Sequence, residues 1–179
     1  ETLLPQAAET LRELGLNFGD VQGIAFGMGP GSFTGLRVSC GAAQGLAVAR
    51  DLPLLGIGTL EAMALASGGE RVIVALDARM GEVYYGVYVQ GKLQGEIGVY
   101  APDAVPVPDS TGWVACGNGL SSYPVLLERL ASVVTHLDEA SLRQQVRRVR
   151  ALVSERLGVD QGIVLGTDDF IENRQREGY

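Results

Sequence analysis

The 179-residue chain is poor in the residues from which metal and covalent sites are built. It has one histidine, His136, and two cysteines, Cys40 and Cys116. Each cysteine sits among small or apolar neighbours, outside any CxxC motif and away from the histidine. Both therefore read as reduced, buried thiols rather than metal ligands or a disulfide. A lone histidine with no Ser or Cys partner in a motif argues against a Ser-His-Asp or zinc site. No HxxxH is present, nor paired carboxylates in a glycine-rich setting. Long apolar runs are missing as well: none reaches the roughly 18 residues needed to span a bilayer. The opening ETLLPQAAETL has neither a basic nor an apolar leader region, so the expectation is a cytoplasmic protein. Positive charge is also scarce. The net charge is −7; residues 1–139 carry 7 basic and 15 acidic side chains, and residues 140–179 carry 7 and 6. An acidic body lacks the footprint that gripping a phosphate backbone requires. If the chain serves nucleic acid, something else holds it.

Apolar residues make up 46% of the chain and charged ones 20%, enough to bury a core. The 25 glycines exceed the usual share of about 7% and fall at punctuation points. Leu3 to Leu16 carries leucine and alanine near one helical stripe, and Gly15 and Asn17 to Gly19 end it. Val21 to Gly27 reads as a short apolar strand, Thr34 to Arg50 as a helix, Leu52 to Thr59 as a second strand, and Thr59 to Ala66 as a short helix. After Ser67–Glu70 the pattern changes to strand, turn, strand, turn, strand, with Val83, Tyr85, Val87 and Val89 alternating against Tyr84, Gly86 and Tyr88. Thr111 to Gly119 is another buried strand closed by a glycine turn, and a helix runs from Ser121 to Leu130. An arginine-rich amphipathic helix follows, then a short strand and a helix capped at Thr167 or Asp168. The expectation is an α/β protein with one lobe over 1–67, a second over 68–130, and a tail over 131–179.

The stretch FGMGPGSFTGLRVSCGAAQGLAVAR, Phe26 to Arg50, admits two readings. Gly29, Gly31, Ser32, Thr34, Gly35 and Arg37 gather near a helix N-terminus, where backbone N–H groups and the helix dipole attract anions; they are the candidate nucleotide- or phosphate-binding residues. The pattern is neither GxGxxG nor GxxxxGK[ST], because no lysine follows the glycines. The other reading is a sharp turn with Ser32 or Thr34 capping the helix. The helix itself has small residues almost all round: Gly41, Gly45 and Ala49 are four apart, as are Ser39, Ala43 and Ala47. A helix without a polar face is buried on more than one side, one side on its own sheet and another on a partner. Two interior glycines cost about 1 kcal/mol each relative to alanine, which suits close packing.

GMGPGSFTGLRVSCGAAQGLA resembles the signature of the TsaB (YeaZ) family, as do LPLLGIGTLEAMA, ALDARMGEVYYGVY and CGNGLSSYPVLL, over about residues 1–130. The resemblance implies the two-lobed actin, sugar-kinase and Hsp70-like (ribonuclease-H-like, ASKHA) fold. It implies a non-catalytic subunit that binds TsaD for N6-threonylcarbamoyladenosine modification of ANN-decoding tRNAs. TsaE is a further partner, TsaC supplies the carbamoyl-adenylate, and tRNA is contacted only indirectly. The family associates with itself and with TsaD through the helices around the glycine turn. Carried over by position, the partner face is Leu4, Ala7, Leu11, Phe33, Thr34, Arg37, Val38, Gly41, Ala42, Gly45 and Leu46, with ATP or ADP at the TsaB–TsaD interface as the candidate cofactor.

Two departures qualify the match. The family begins with a strand–turn–strand hairpin, whereas this chain starts inside the helix after it. The first lobe is therefore expected to lack its N-terminal hairpin and to leave an unpaired strand edge. From about Ala131 the tail does not align, and LGTDDFIENR resembles the ends of some small transposase-like proteins. Asp77 of ALDARMGEVYYG offers itself as a catalytic aspartate, but a turn-forming role, paired with Arg79 or a backbone N–H, is the expectation. Arg143, Arg147, Arg148 and Arg150 are read as a solvated helix face, with RNA or TsaD as the alternative contact. The competing function is a nucleotide-binding ATPase or a peptidase-like enzyme of the same superfamily.

Overall fold

The computed structural model describes residues 3–138, 142–158 and 162–165. Helix α1 (Leu3–Glu13) turns Leu11 inward and leaves Leu4 and Leu14 exposed. Gly15 ends it in the left-handed region, and the Leu16 N–H donates to the Leu11 carbonyl at 2.8 Å. Asn17 then caps a single 3-10 turn, Phe18–Asp20, through a reciprocal box: its side chain accepts from the Gly19 N–H while Asp20 Oδ2 accepts from the Asn17 N–H. Strand β1 (Gly23–Gly29), helix α2 (Phe33–Arg50) and strand β2 (Leu54–Gly58) form a βαβ unit in which β1 and β2 pair in parallel. Leu11, Val21, Ile24, Ala43 and Ala47 form the core of this layer, with Leu16, Phe18, Leu46 and Leu52 packed around it.

Strand β8 (Gly162–Leu165) pairs in parallel with the other side of β1, Gly23 opposite Gly162 through Phe26 opposite Leu165. The sheet order is β2-β1-β8. The strand edge expected to be unpaired thus carries a strand from the C-terminal part of the chain.

Helix α3 (Thr59–Ser67) precedes the hairpins β3 (Arg71–Arg79), β4 (Glu82–Val89) and β5 (Lys92–Tyr100). Then follow β6 (Trp113–Cys116), α4 (Gly119–Ser122), α5 (Pro124–Leu130) and β7 (Val134–Leu137). The helix expected from Ser121 to Leu130 is broken at Tyr123, because Pro124 lacks the N–H to continue it and begins a new helix instead. Five strands lie in the order β5-β4-β3-β6-β7, antiparallel in the hairpins and parallel across β3, β6 and β7. Alternation along β3 sends Ile73 and Ala75 to one face, with Tyr85, Trp113, Leu126 and Leu130. Val72 and Val74 go to the other face, with Leu60, Ala64, Tyr88 and Cys116. Strand β7, unforeseen in the sequence, extends this sheet.

The chain divides into two compact units, Glu1–Thr59 with Val149–Tyr179, and Leu60–Arg148. This differs from the expected 1–67, 68–130 and 131–179. Leu60 and Ala64 pack with Val72 and Tyr88, which assigns α3 to the second unit. The residues after 130 are shared out: β7 joins the second sheet and β8 the first, while the division falls within α6 (Leu142–Leu157), where Val149 and Val153 are buried. The expected helix capped at Thr167 or Asp168 lies outside the described residues. Among the described residues, no helix is long and apolar enough to cross a membrane.

Two left-handed glycines of the second unit differ in what a side chain would meet. A Cβ on Gly117 would lie 2.1 Å from the Ala75 carbonyl oxygen, whereas one on Gly112 would meet nothing within 4 Å. Gly112→Ala is expected to cost about 1 kcal/mol, from backbone strain alone. Gly117→Ala is expected to cost at least about 3 kcal/mol, because β3 must also move. Urea unfolding midpoints of the two variants test this; equal losses would refute the close approach.

Candidate functional site

The glycine turn between β1 and α2 is built by three local devices. Gly29 has φ +91°, a conformation that strains any other L-residue, and a Cβ there would come within 2.9 Å of Leu36 Cδ1, which would have to shift. The Gly29–Pro30 peptide is cis. Ser32 is the N-cap, its Oγ accepting the Gly35 N–H at 3.3 Å. At the far end Asp51 takes the left-handed conformation, and Arg50 donates to the carbonyls of Phe18 and Gly19 at 2.5 and 3.1 Å. A cation there complements the negative end of the helix.

Between those ends α2 has two unlike faces. Gly35, Ser39, Ala43 and Ala47, one residue every four, are buried. Ser39 is only 1% exposed, and its hydroxyl donates to the Leu36 carbonyl at 3.1 Å, so the one polar group on this stripe is satisfied within the helix. The opposite face is bare. Val38 is 50% and Val48 85% exposed, and a Cβ on Gly41 or Gly45 would meet nothing within 4 Å. Phe33, 67% exposed, carries the Arg37 guanidinium 3.7 Å above its ring. Packing among the described residues therefore does not require the interior glycines.

The candidate partner residues separate accordingly. Leu4, Phe33, Thr34, Arg37, Val38, Gly41 and Gly45 are exposed. Ala7, Ala42 and Leu46 are half-buried against the first unit's core, and Leu11 belongs to that core at 6% exposure, where it holds α1 in place rather than meeting solvent. The sequence reading missed Val48, whose signal was the spacing 38, 41, 45, 48, a stripe at helical period. The candidate phosphate residues are less available. Ser32 Oγ is committed to the Gly35 N–H, Gly35 is buried, and Arg37 lies over Phe33, while Gly29 serves the turn. Gly31 is half-buried and Thr34 exposed.

In the second unit, Asp77 sits where β3 bulges before its hairpin turn. Its Oδ1 accepts from the Arg79 N–H at 2.8 Å and from the Tyr123 hydroxyl at 2.9 Å, and its own N–H donates to Asn118 Oδ1 at 3.0 Å. Arg79 Nη1 is 3.7 Å from Oδ2. The Arg79 N–H above all, helped by the Tyr123 hydroxyl and the Arg79 charge, holds the carboxyl below its usual range against the opposing effect of burial, which outweighs either of those two helpers alone. The same hydrogen bond, first of several causes, pushes the Tyr123 phenol up. Asp77 thus shapes a turn whose three residues, Arg79, Met80 and Gly81, all have positive φ. Tyr123 and Asn118 were not foreseen because 46 and 41 residues separate them from Asp77. Burial lifts the Cys116 thiol to about 12, with Asp138 adding to the shift, so it is held as an unreactive thiol. Cys40 is free and half-buried, and His136 is exposed.

Comparison with known proteins gives a consistent set of relatives. The family model for TsaD, tRNA N6-adenosine threonylcarbamoyltransferase, matches residues 1–101. The chain is 38% identical over 142 residues to the tRNA threonylcarbamoyladenosine biosynthesis protein TsaB of Escherichia coli, covering 70% of this chain and 60% of that protein. It is 46% identical over 102 residues to the TsaB of Haemophilus influenzae, covering 55% and 43%. The chain thus spans about half the length of these curated relatives. A solved structure described as YeaZ from Pseudomonas aeruginosa superposes with a TM-score of 0.72 at 36% identity, over 87% of this chain and 78% of the other. A second Pseudomonas aeruginosa structure, described as similar to peptidase YEAZ, superposes equally well at 33% identity, over 92% and 82%. The α/β architecture is the expected actin-like one.

The Asp77 network predicts a sign in acid. A carboxyl whose folded pKa is depressed stabilises the fold above its unfolded pKa, and that contribution is lost as pH falls through the folded value. Tyr123→Phe removes one donor, so the Asp77 pKa is expected to rise toward the ordinary value and its stabilisation to shrink and disappear at a higher pH. Carboxyl carbon NMR titration of both proteins reads this directly; an unmoved Asp77 titration would refute the bond's role.

Proposed function

Since the chain belongs to the TsaB (YeaZ) family, we propose that it acts as a non-catalytic docking subunit, with the bare face of α2 as the surface that receives its partner. The observation that carries the proposal is the asymmetry of that helix. Its buried stripe is filled, yet among the described residues nothing lies over Val38, Gly41, Gly45 and Val48 of its outer stripe. Glycine in a helix interior costs about 1 kcal/mol relative to alanine. A second backbone approaching Gly41 and Gly45 gives those glycines a use, and Phe33 with Arg37 supplies an aromatic and a cation at the edge, residue types enriched in protein interfaces.

The partner is TsaD, and the pathway is threonylcarbamoyladenosine modification of tRNA, the process named for the curated relatives. The chain also associates with itself through the same face, and TsaE is a further partner of the complex. The charge supports a subunit that does not grip RNA: residues 1–139 carry 7 basic against 15 acidic side chains. The turn around Gly29 is read as the device that aims α2. Its hydroxyl cap and its arginine are already engaged, which leaves ATP or ADP at this position with little to hold it.

Gly45→Leu separates docking from folding by sign. The substitution enters open space and removes the helix penalty, so the isolated chain is expected to gain up to about 1 kcal/mol in urea unfolding. Association with TsaD from the same source is expected to weaken at least tenfold, read by size-exclusion chromatography with light scattering. Val48→Asp is expected to weaken association without changing stability. Undiminished association in both variants would sink the assignment.

A further inference from the structure

The β4–β5 hairpin departs from regular pairing at one place. Tyr85 pairs with Gly98 and Val87 with Gln94, so three residues of β5 stand against the single Gly86. Gly95, within this bulge, takes φ +75°. A Cβ on Gly98 would lie 2.3 Å from the Tyr100 ring, so the glycine is what lets that ring lie across the strand. Bulges re-aim side chains and are common beside functional sites. Here the bulge borders a cavity of about 240 Å³. Tyr85 and Tyr100 line it, packed edge to face with ring centroids 6.0 Å apart. Pro106 and Pro108 line it from the loop after β5. The Tyr85 hydroxyl fixes that loop by donating to the Pro106 carbonyl at 2.8 Å.

Two polar side chains of β5, Gln94 and Glu96, complete the lining, and both residues are exposed. Among the described residues around the cavity, Glu96 carries the one charge. Arg129, whose charge reaches the Tyr85 hydroxyl, is bound to the Val105 carbonyl and does not line the cavity. Residues 82–109, which span the whole lining, carry four acidic side chains and one basic. Such a field favours a cation, and aromatic rings attract cations through their quadrupole. The volume is below the roughly 300–1,000 Å³ of sites for drug-sized ligands, so a cation of a few carbons is the size that fits.

We propose that this cavity binds a small organic cation of the alkylammonium class. Glu96 holds the ammonium, and the alkyl body rests against Tyr85, Tyr100 and the two prolines. The cavity lies within the second unit, and the proposal does not rest on the docking assignment.

Backbone amide NMR of the full chain, titrated with n-butylammonium chloride, tests it. Saturable shifts are expected in the amides of residues 94–100. n-Butanol, which keeps the alkyl body and lacks the charge, is expected to bind about tenfold more weakly. Glu96→Gln is expected to weaken n-butylammonium about fivefold and to leave the other amides in place, because Glu96 is exposed. Tyr100→Phe keeps the ring and is expected to keep the affinity. Nα-acetyl-lysine amide distinguishes the two sources of the group: binding as tight as that of n-butylammonium assigns the site to a lysine side chain, and binding about tenfold weaker assigns it to a free amine; both outcomes support the site. Absence of saturable shifts in residues 94–100, equal affinity for n-butanol, or undiminished affinity in Glu96→Gln would overturn the proposal.

Discussion

The buried stripe of helix α2 carries only glycine, serine and alanine, and much of the first unit follows from that small-sided face. Gly35, Ser39, Ala43 and Ala47 supply a nearly flat stripe. Large side chains there would lift the helix off Ile24 and open the core that also holds Leu11 and Val21. The turn into α2 must then be tight, which explains the positive φ of Gly29 and the serine cap at Ser32. The exit is fixed by Arg50, whose guanidinium binds two carbonyls of the 3-10 turn before β1. Entry, exit and inner face are all engaged within the chain. Among the described residues nothing covers the outer face, and that contrast singles it out.

The second unit solves a different problem. Its sheet is covered on both faces, so alternation along β3 and β4 must serve two cores at once: Ile73 and Tyr85 on one side, Val72 and Tyr88 on the other. Strands with two buried faces leave little room for polar groups, and those present are tied down. The Tyr85 hydroxyl donates to the Pro106 carbonyl, and the Trp113 indole donates to the Ser110 carbonyl. The remaining polar cluster, around Asp77, sits at the hairpin end. There a bulge and three positive-φ residues need side-chain support. Its geometry serves the backbone, with each oxygen contact of the carboxylate directed at Arg79 or Tyr123.

Most elements of the first 130 residues were legible because their signals are local. Gly15 stops α1, Pro124 starts α5, and period-two alternation marks the hairpins. The boundary between the units was not, because the glycines of Ser67–Glu70 resemble a linker while the residues that decide the question, Leu60 and Ala64, are merely apolar until their neighbours are known. Strand β7 escaped for a similar reason: its VTHL carries little alternation, and only its pairing with β6 makes it a strand.

Residue type and spacing alone made α2 small-sided, led a glycine turn into it and gave the chain a net charge of −7. Those are properties of residue type and spacing, which no packing partner alters. Tertiary structure decided which stripe of α2 faces inward. Two of its stripes are four-residue repeats of small residues, and helical period alone cannot distinguish Ser39, Ala43, Ala47 from Gly41, Gly45, Ala49. It also decided that Leu11 is core rather than surface, that Tyr123 and Asn118 meet Asp77, and that residues 162–165 pair with β1. Each is a contact between distant parts of the chain, set by which surfaces the fold brings together.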